Sequence, residues 1–246
     1  MPVRAAYRQG PMETRRTTRL LCIADPRGDG GAITRVVEQC HDRDIQGLAV
    51  VGDLAGPGAP VKGFRQVFHA LGQTGLTAFW VPGSRDAPIQ GYLHEAYNTE
   101  MVFPSLHGVH GTAALAPDGH VLVAGLGGAV DDDPDATRDE TNELRYPRWE
   151  PEYRLKVLRE FDEHEMLLLF STPPAHKGHP GGGSEVLAEL INTWRPRIVV
   201  CGGPRRSETL GKSLVVSPGP LAEGCYAIAD FQTREAELET LGAVVR

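Results

Sequence analysis

A chain of 246 residues is long enough for one domain with a deep core and short for two. Its 41% hydrophobic and 23% charged content is ordinary for a globular fold, and a net charge of −7 lacks the basic excess of a general nucleic-acid binder. No stretch approaches the ~20 apolar residues that would span a membrane, so no membrane partner is expected.

Met1 to Thr17 is Arg-rich and polar without an apolar secretion core, and is expected to be a disordered tail before a single domain over 18–246. Leu20 to Ala24 reads as a buried strand. Gly31 to His41 reads as a helix with Ile33, Val36, Val37 and Cys40 on one face. Leu48 to Val51, Val61 to Leu71 and Ala78 to Val81 continue as strand, helix and strand. That βαβαβ opening favours a parallel sheet with right-handed crossovers. A helix from Pro88 to Tyr97 starts on proline, where a missing N–H is harmless. Strands follow at Ala113 to Leu115 and Val121 to Ala124.

The loop Val130 to Glu140 carries Asp131-Asp132-Asp133-Pro134-Asp135 and reads as solvated, because EF-hand spacing is absent. A helix near Pro151 to Phe161 and a strand Met166 to Phe170 come next. A loop from Gly178 to Gly183 leads into a helix Ser184 to Trp194, whose first N–H groups are a weak anion-site expectation. Ile198 to Cys201, Ser213 to Val216 and Tyr226 to Phe231 finish as strands. Cys22, Cys40, Cys201 and Cys225 have no close spacing, which argues against a zinc knuckle and for thiols in a reducing cytoplasm. Lysine occurs four times, so 21 of the 25 basic residues are arginine, the better side chain for gripping phosphate.

Ligands in open α/β sheets gather at the carboxyl ends of strands. Here those ends read Ala24-Asp25-Pro26-Arg27-Gly28-Asp29, Val51-Gly52-Asp53-Leu54, Val81-Pro82-Gly83-Ser84-Arg85-Asp86, Phe170-Ser171-Thr172-Pro173-Pro174, Cys201-Gly202-Gly203-Pro204-Arg205-Arg206 and Ser217-Pro218-Gly219. No Gly-x-Ser-x-Gly elbow is present, and Gly125-Leu126-Gly127-Gly128 lacks the context of a dinucleotide loop.

In that order the strand ends resemble the calcineurin-like metallophosphoesterases. Val81-Pro82-Gly83 with Asp86-Ala87-Pro88, Leu144-Arg145-Tyr146-Pro147, Glu152-Tyr153-Arg154-Leu155-Lys156 and His176-Lys177-Gly178 resemble a divergent bacterial and thermophile subgroup. The resemblance covers nearly the whole chain from Arg19. It implies an α/β fold of two facing mixed β-sheets flanked by helices. It also implies two metals, but Asp25 and Asp53 alone stand at ligand positions. Arg27, Ser84, Arg85, Ser171, Gly203 and Arg205 occupy the places of the other ligands and of the general-acid histidine.

Two carboxylates make a weak, hard-cation site, and arginines nearby repel metal entry. No cofactor is therefore expected; a single divalent ion (Mn, Mg, Ca or Zn) on Asp25 and Asp53 is the most the ligands would hold. Arg27, Arg85 and Arg205 are expected to form an anion cradle, with Arg206 and Lys177 near it. The opposing expectation pairs Arg27 and Arg85 with Asp25, Asp53 and Asp86 in a closed ion network.

Catalytic candidates are Asp25, Asp53, Arg85 and His176, while His179 reads as a solvated loop residue. The first expectation is an impaired, pseudoenzyme-like protein that binds a phosphorylated small molecule or a protein partner. An active phosphoesterase using one metal or the arginines is the alternative, and a regulatory protein with a closed pocket the third. The aromatics of Leu144 to Lys156 (Tyr146, Trp149, Tyr153) are expected to cover the pocket, form an interface or fill the core. A homo-oligomer is weakly favoured.

Overall fold

Alternation with a period of two decides which way each strand faces. The computed structural model describes residues 17–56, 58, 61–161, 163–176 and 182–242. In β1 (Arg19–Ala24), Leu21 and Ile23 point to one core while Leu20, Cys22 and Ala24 point to another. β2 (Gly47–Val51) and β3 (Thr77–Trp80) split in the same way, so these strands are apolar on both faces.

β1, β2 and β3 run parallel, joined by α1 (Gly30–Gln39) and α2 (Val61–Gln73). Beyond them lie α3 (Ile89–Val102) and the three-residue β4 (Leu106–Gly108). β13 (Cys225–Asp230) and β14 (Glu235–Thr240) return antiparallel, giving the order β14-β13-β1-β2-β3-β4.

A second sheet has the order β11-β12-β10-β9-β6-β5. Its strands are β5 (Ala113–Leu115), β6 (Val121–Leu126), β9 (Glu165–Phe170), β10 (Ile198–Cys201), β11 (Arg206–Leu210) and β12 (Ser213–Ser217). Leu167, Leu169 and Val200 face Val51, Phe79 and Val81 across the inter-sheet core. Leu168, Phe170 and Val199 face outward onto α4 (Glu150–Leu155) and α5 (Glu185–Trp194). The result is four layers, helices on sheet on sheet on helices. A two-stranded ribbon, β7 (Ala129–Asp131) with β8 (Arg145–Pro147), sits at the strand ends.

The expected fold class holds, with local corrections. α3 runs on to Val102 and Pro88 is its N-cap residue, one position before the helix. The expected helix over 151–161 is a short α4 followed by a 3-10 turn over Lys156–Glu160. Of the expected tail, Thr17 is buried and its N–H donates to Asp118 at 2.5 Å; the rest lies outside the described residues. No helix among the described residues is long and apolar enough to cross a membrane.

Candidate functional site

Three loops follow β1, β2 and β3 and bond to one another before they meet anything else. The Asp25 N–H donates to the Val51 carbonyl, Arg27 to that of Asp53 and Gly28 to that of Leu54. Asp25 and Arg27 hold left-handed backbones, φ +48° and +47°, although neither is glycine. Such residues are strained by about 1–2 kcal/mol each, and strain of this kind collects at functional loops. Gly52 and Gly83 leave room for the two carboxylates. A Cβ on Gly52 would sit 2.0 Å from Asp25 Oδ1, and one on Gly83 2.2 Å from Asp53 Oδ1.

Each carboxylate is already engaged. Asp25 Oδ1 accepts the Asp53 N–H at 3.0 Å, and its Oδ2 lies 3.5 Å from an Arg27 Nη2. Asp53 Oδ1 accepts the Arg85 N–H at 3.1 Å, and its Oδ2 lies 3.5 Å from Arg85 Nε. Burial raises the Asp53 pKa above the usual carboxylate range, the Arg85 N–H pulls it back, and the Asp25 charge raises it again. The two arginines are far from spent: 38% of the Arg27 side chain and 56% of the Arg85 side chain face solvent.

Beneath them lies a residue that the sequence marked as part of a motif and as a partner for the arginines. Asp86 is fully buried and accepts three backbone N–H bonds, from Leu54 at 2.7 Å, Gly83 at 2.8 Å and Ala55 at 2.9 Å. It therefore ties the loop after β3 to the loop after β2. Gly-x-x-Asp straight after a buried strand, a side chain closing a turn on its own loop, was the signal available. Asp86 takes no arginine in these bonds, which corrects its expected place in an ion-pair network.

Arg27 and Arg85 thus cluster with Asp25 and Asp53, but the other candidates are placed differently. Arg205 lies against Gly219, next to Pro220 that bridges Ala24, yet its guanidinium donates to the Leu238 carbonyl of β14 at 2.6 Å. Its outward reach is spent on an edge strand because that carbonyl lacks a ladder partner. Arg206 pairs with Glu208 on β11 at 3.0 Å, and His176 Nδ1 lies 2.9 Å from the other oxygen of Glu208. Ser171 packs against Gly202 at the ends of β9 and β10. Lys177 and His179 lie outside the described residues. Among the described residues no group of three or more His, Cys, Asp or Glu side chains has the arrangement of a metal site.

The start of α5 corrects another expectation. Asp132 fills it: its Oδ1 accepts the Ser184 hydroxyl at 2.7 Å and its Oδ2 accepts the Glu185 N–H at 2.5 Å. The helix N-terminus is thus satisfied by a carboxylate from the acidic loop, as the dipole favours. Asp131 and Asp133 close tight turns on Asp133 and Asp135. The aromatic segment divides. Tyr146 is core, its hydroxyl 3.0 Å from His110 Nε2, while Trp149 and Tyr153 are exposed on the surface. Burial, and then the Arg154 charge, push the His110 pKa down to about 3, and its Nδ1 accepts the Gly127 N–H at 2.9 Å, so the ring is neutral.

Comparison with known proteins then gives the following. The family described as "Metallophosphoesterase, calcineurin superfamily" matches residues 60–241. A crystal structure of TT1561 of Thermus thermophilus is 36% identical with a TM-score of 0.87, over 92% of this chain and 100% of that one. An archaeal protein, whose structure is described as that of a novel phosphodiesterase, is 12% identical with a TM-score of 0.52, covering 91% and 99%; it shares the fold alone. No curated protein sequence matches.

Proposed function

The chain belongs to the calcineurin superfamily of metallophosphoesterases, and we propose that within it this protein has an eroded metal centre that binds a phosphorylated ligand without metals. One observation carries the reading. Asp25 and Asp53 each spend one oxygen on a backbone N–H and turn the other towards an arginine, while Arg27 and Arg85 keep 38% and 56% of their side chains open to solvent.

The residues present do not fit a two-metal centre. A divalent ion would have to displace the arginines from the Oδ2 atoms of Asp25 and Asp53 and sit beside two permanent positive charges. Among the described residues no further His, Cys, Asp or Glu completes a metal-ligand group with them. The contacts of 3.5 Å are longer than the 2.7–2.9 Å typical of strong charge-assisted bonds, so the guanidiniums are tethered rather than locked. Each keeps N–H donors for the oxygens of a phosphate. Among the described residues the carboxylates at this site are Asp25 and Asp53, each already held by a backbone N–H and an arginine, which supports binding rather than turnover as the role. Four unpaired thiols support placing the protein in the cytoplasm.

The test starts from protein purified without chelator or affinity tag. Plasma mass spectrometry should find manganese, iron and zinc well below one equivalent per chain. Inorganic phosphate and a phosphate monoester should raise the melting temperature, and Arg85→Ala should weaken that binding by about 10-fold or more. About two equivalents of metal with diester hydrolysis would overturn the proposal. So would phosphate binding that Arg85→Ala leaves unchanged.

A further inference from the structure

A helix on the surface of a charged protein ordinarily turns its charges outward. α3 does not. Its inner face carries Tyr92, Glu95 and Ala96 against α2 and the first sheet. Its outer face, read along the helix, is Gln90, Leu93, His94, Tyr97, Asn98, Met101 and Val102, with no Lys, Arg, Asp or Glu among them. The two acidic residues of α3 are buried or satisfied: Glu95 lies between Arg65 at 2.9 Å and the Nδ1 of His94 at 3.1 Å, and Glu100 accepts the Gly108 N–H at 2.6 Å. Yet Leu93, Tyr97, Met101 and Val102 are 43%, 69%, 81% and 68% exposed.

We infer that this face of α3 is an interface between two copies of the chain, packed antiparallel about a two-fold axis passing near Tyr97. Electrostatics selects the occupant. The chain carries a net −7, so most pairs of identical surfaces would meet with like charge. This stripe is a surface on which two copies meet without repulsion, and it offers a charged partner nothing to pair with.

Geometry agrees. Leu93, Tyr97 and Met101 lie four residues apart on one line, spanning about 12 Å of axis at 1.5 Å per residue. In an antiparallel crossing centred on Tyr97, Leu93 of one copy meets Met101 of the other and the two Tyr97 rings meet at the axis, as an isologous contact demands. Size agrees as well. Four such side chains present on the order of 400 Å² of apolar surface per copy. With Gln90, His94 and Asn98 added and both copies counted, the buried area reaches about 1,200 Å², the lower bound for specific association. α3 begins four residues after Arg85, so the interface would also brace the loop that presents that arginine. The inference stands apart from the phosphate proposal, because it uses none of the site's residues.

Sedimentation of the full chain tests it. The wild type should be a dimer at tens of micromolar, and Tyr97→Glu with Met101→Glu should be monomeric over that range, a weakening of at least about 100-fold. Both positions are exposed, so the melting temperature measured at low concentration should not fall. Tyr97→Cys supplies a second readout if the double variant folds poorly. A short bis-maleimide should join two copies at that position and leave the wild type unjoined, since Cys22, Cys40 and Cys201 are buried and Cys225 is half-buried. A monomeric wild type overturns the inference, as does a dimer that survives both glutamates or fails to cross-link through residue 97.

Discussion

Replacing Asp86 with alanine should destabilise the protein by about 3 kcal/mol or more, although the residue touches neither solvent nor any cation. Its two oxygens accept the N–H groups of Leu54, Ala55 and Gly83, and it is fully buried. Alanine leaves all three donors without a partner in a site too tight for bulk water, at roughly 1–3 kcal/mol for each orphaned group, partly relieved by relaxation. In a chain of this length the melting temperature should fall by roughly 6–12 °C. Asp86→Asn keeps one acceptor oxygen for Leu54 and Gly83 and loses the bond from Ala55, so about half of that effect is expected.

The pH dependence of stability separates the charge from the shape. Burial pushes the Asp86 pKa up to about 7 in the folded protein, against the pull of the three N–H donors. The unfolded value is about 3.9. An acid whose folded pKa is the higher one takes up a proton on folding between those values. Its contribution is therefore fully present below about pH 4 and is lost as pH rises towards about 7. Urea midpoints at pH 5 and pH 8 should show that decline in the wild type and a flatter profile in Asp86→Asn. An Asp86→Ala protein with an unchanged midpoint would show that the three bonds contribute nothing.

The parts of the fold that the sequence exposed are those where one residue's surroundings are nearly uniform. β1, β2 and β10 are buried on both faces and so read as unbroken apolar runs. β14, with Glu at 235, 237 and 239, and β11, Arg-Ser-Glu-Thr-Leu, are edge strands whose polar residues carry no strand signature. What makes them strands is pairing with β13 and β12, a contact invisible in local pattern. The site divides on the same line. Asp25, Asp53, Arg27 and Arg85 sit within a few residues of their strand ends, and the parallel register of β1, β2 and β3 brings them together. Arg205 and His176 follow strand ends too, but their side chains are drawn to β14 and β11, the strands that local reading overlooks. Asp132 lies fifty-two residues before Ser184, and no periodicity links the two.

The second large effect should come from the far side of the second sheet. Glu150 opens α4 with 0% of its side chain exposed, an expensive place for a carboxylate. Arg138 reaches it through Nε at 2.9 Å and Nη2 at 2.7 Å, and Arg154 reaches it at 2.6 Å. Arg154 also meets Glu140 at 3.1 Å and lies 4.9 Å above the Tyr146 ring, whose hydroxyl faces His110. The two arginines are not equivalent. Arg138 is 44% exposed and bonds only at its tip, whereas Arg154 is 22% exposed and holds Glu150, Glu140 and the aromatic ring together.

Arg154→Ala should therefore cost about 3 kcal/mol, the lower end of what breaking a buried pair costs, because Arg138 still shares the carboxylate. Arg138→Ala should cost about 1 kcal/mol, since Arg154 remains and the lost donor was half in water. Glu150→Gln, which keeps the size and removes the charge, should fall between the two. Chemical denaturation of the three variants at neutral pH decides the matter. An Arg138→Ala loss equal to that of Arg154→Ala would mean that the cation over Tyr146 and the bridge to Glu140 do not hold α4 in place, and that the carboxylate alone sets the cost.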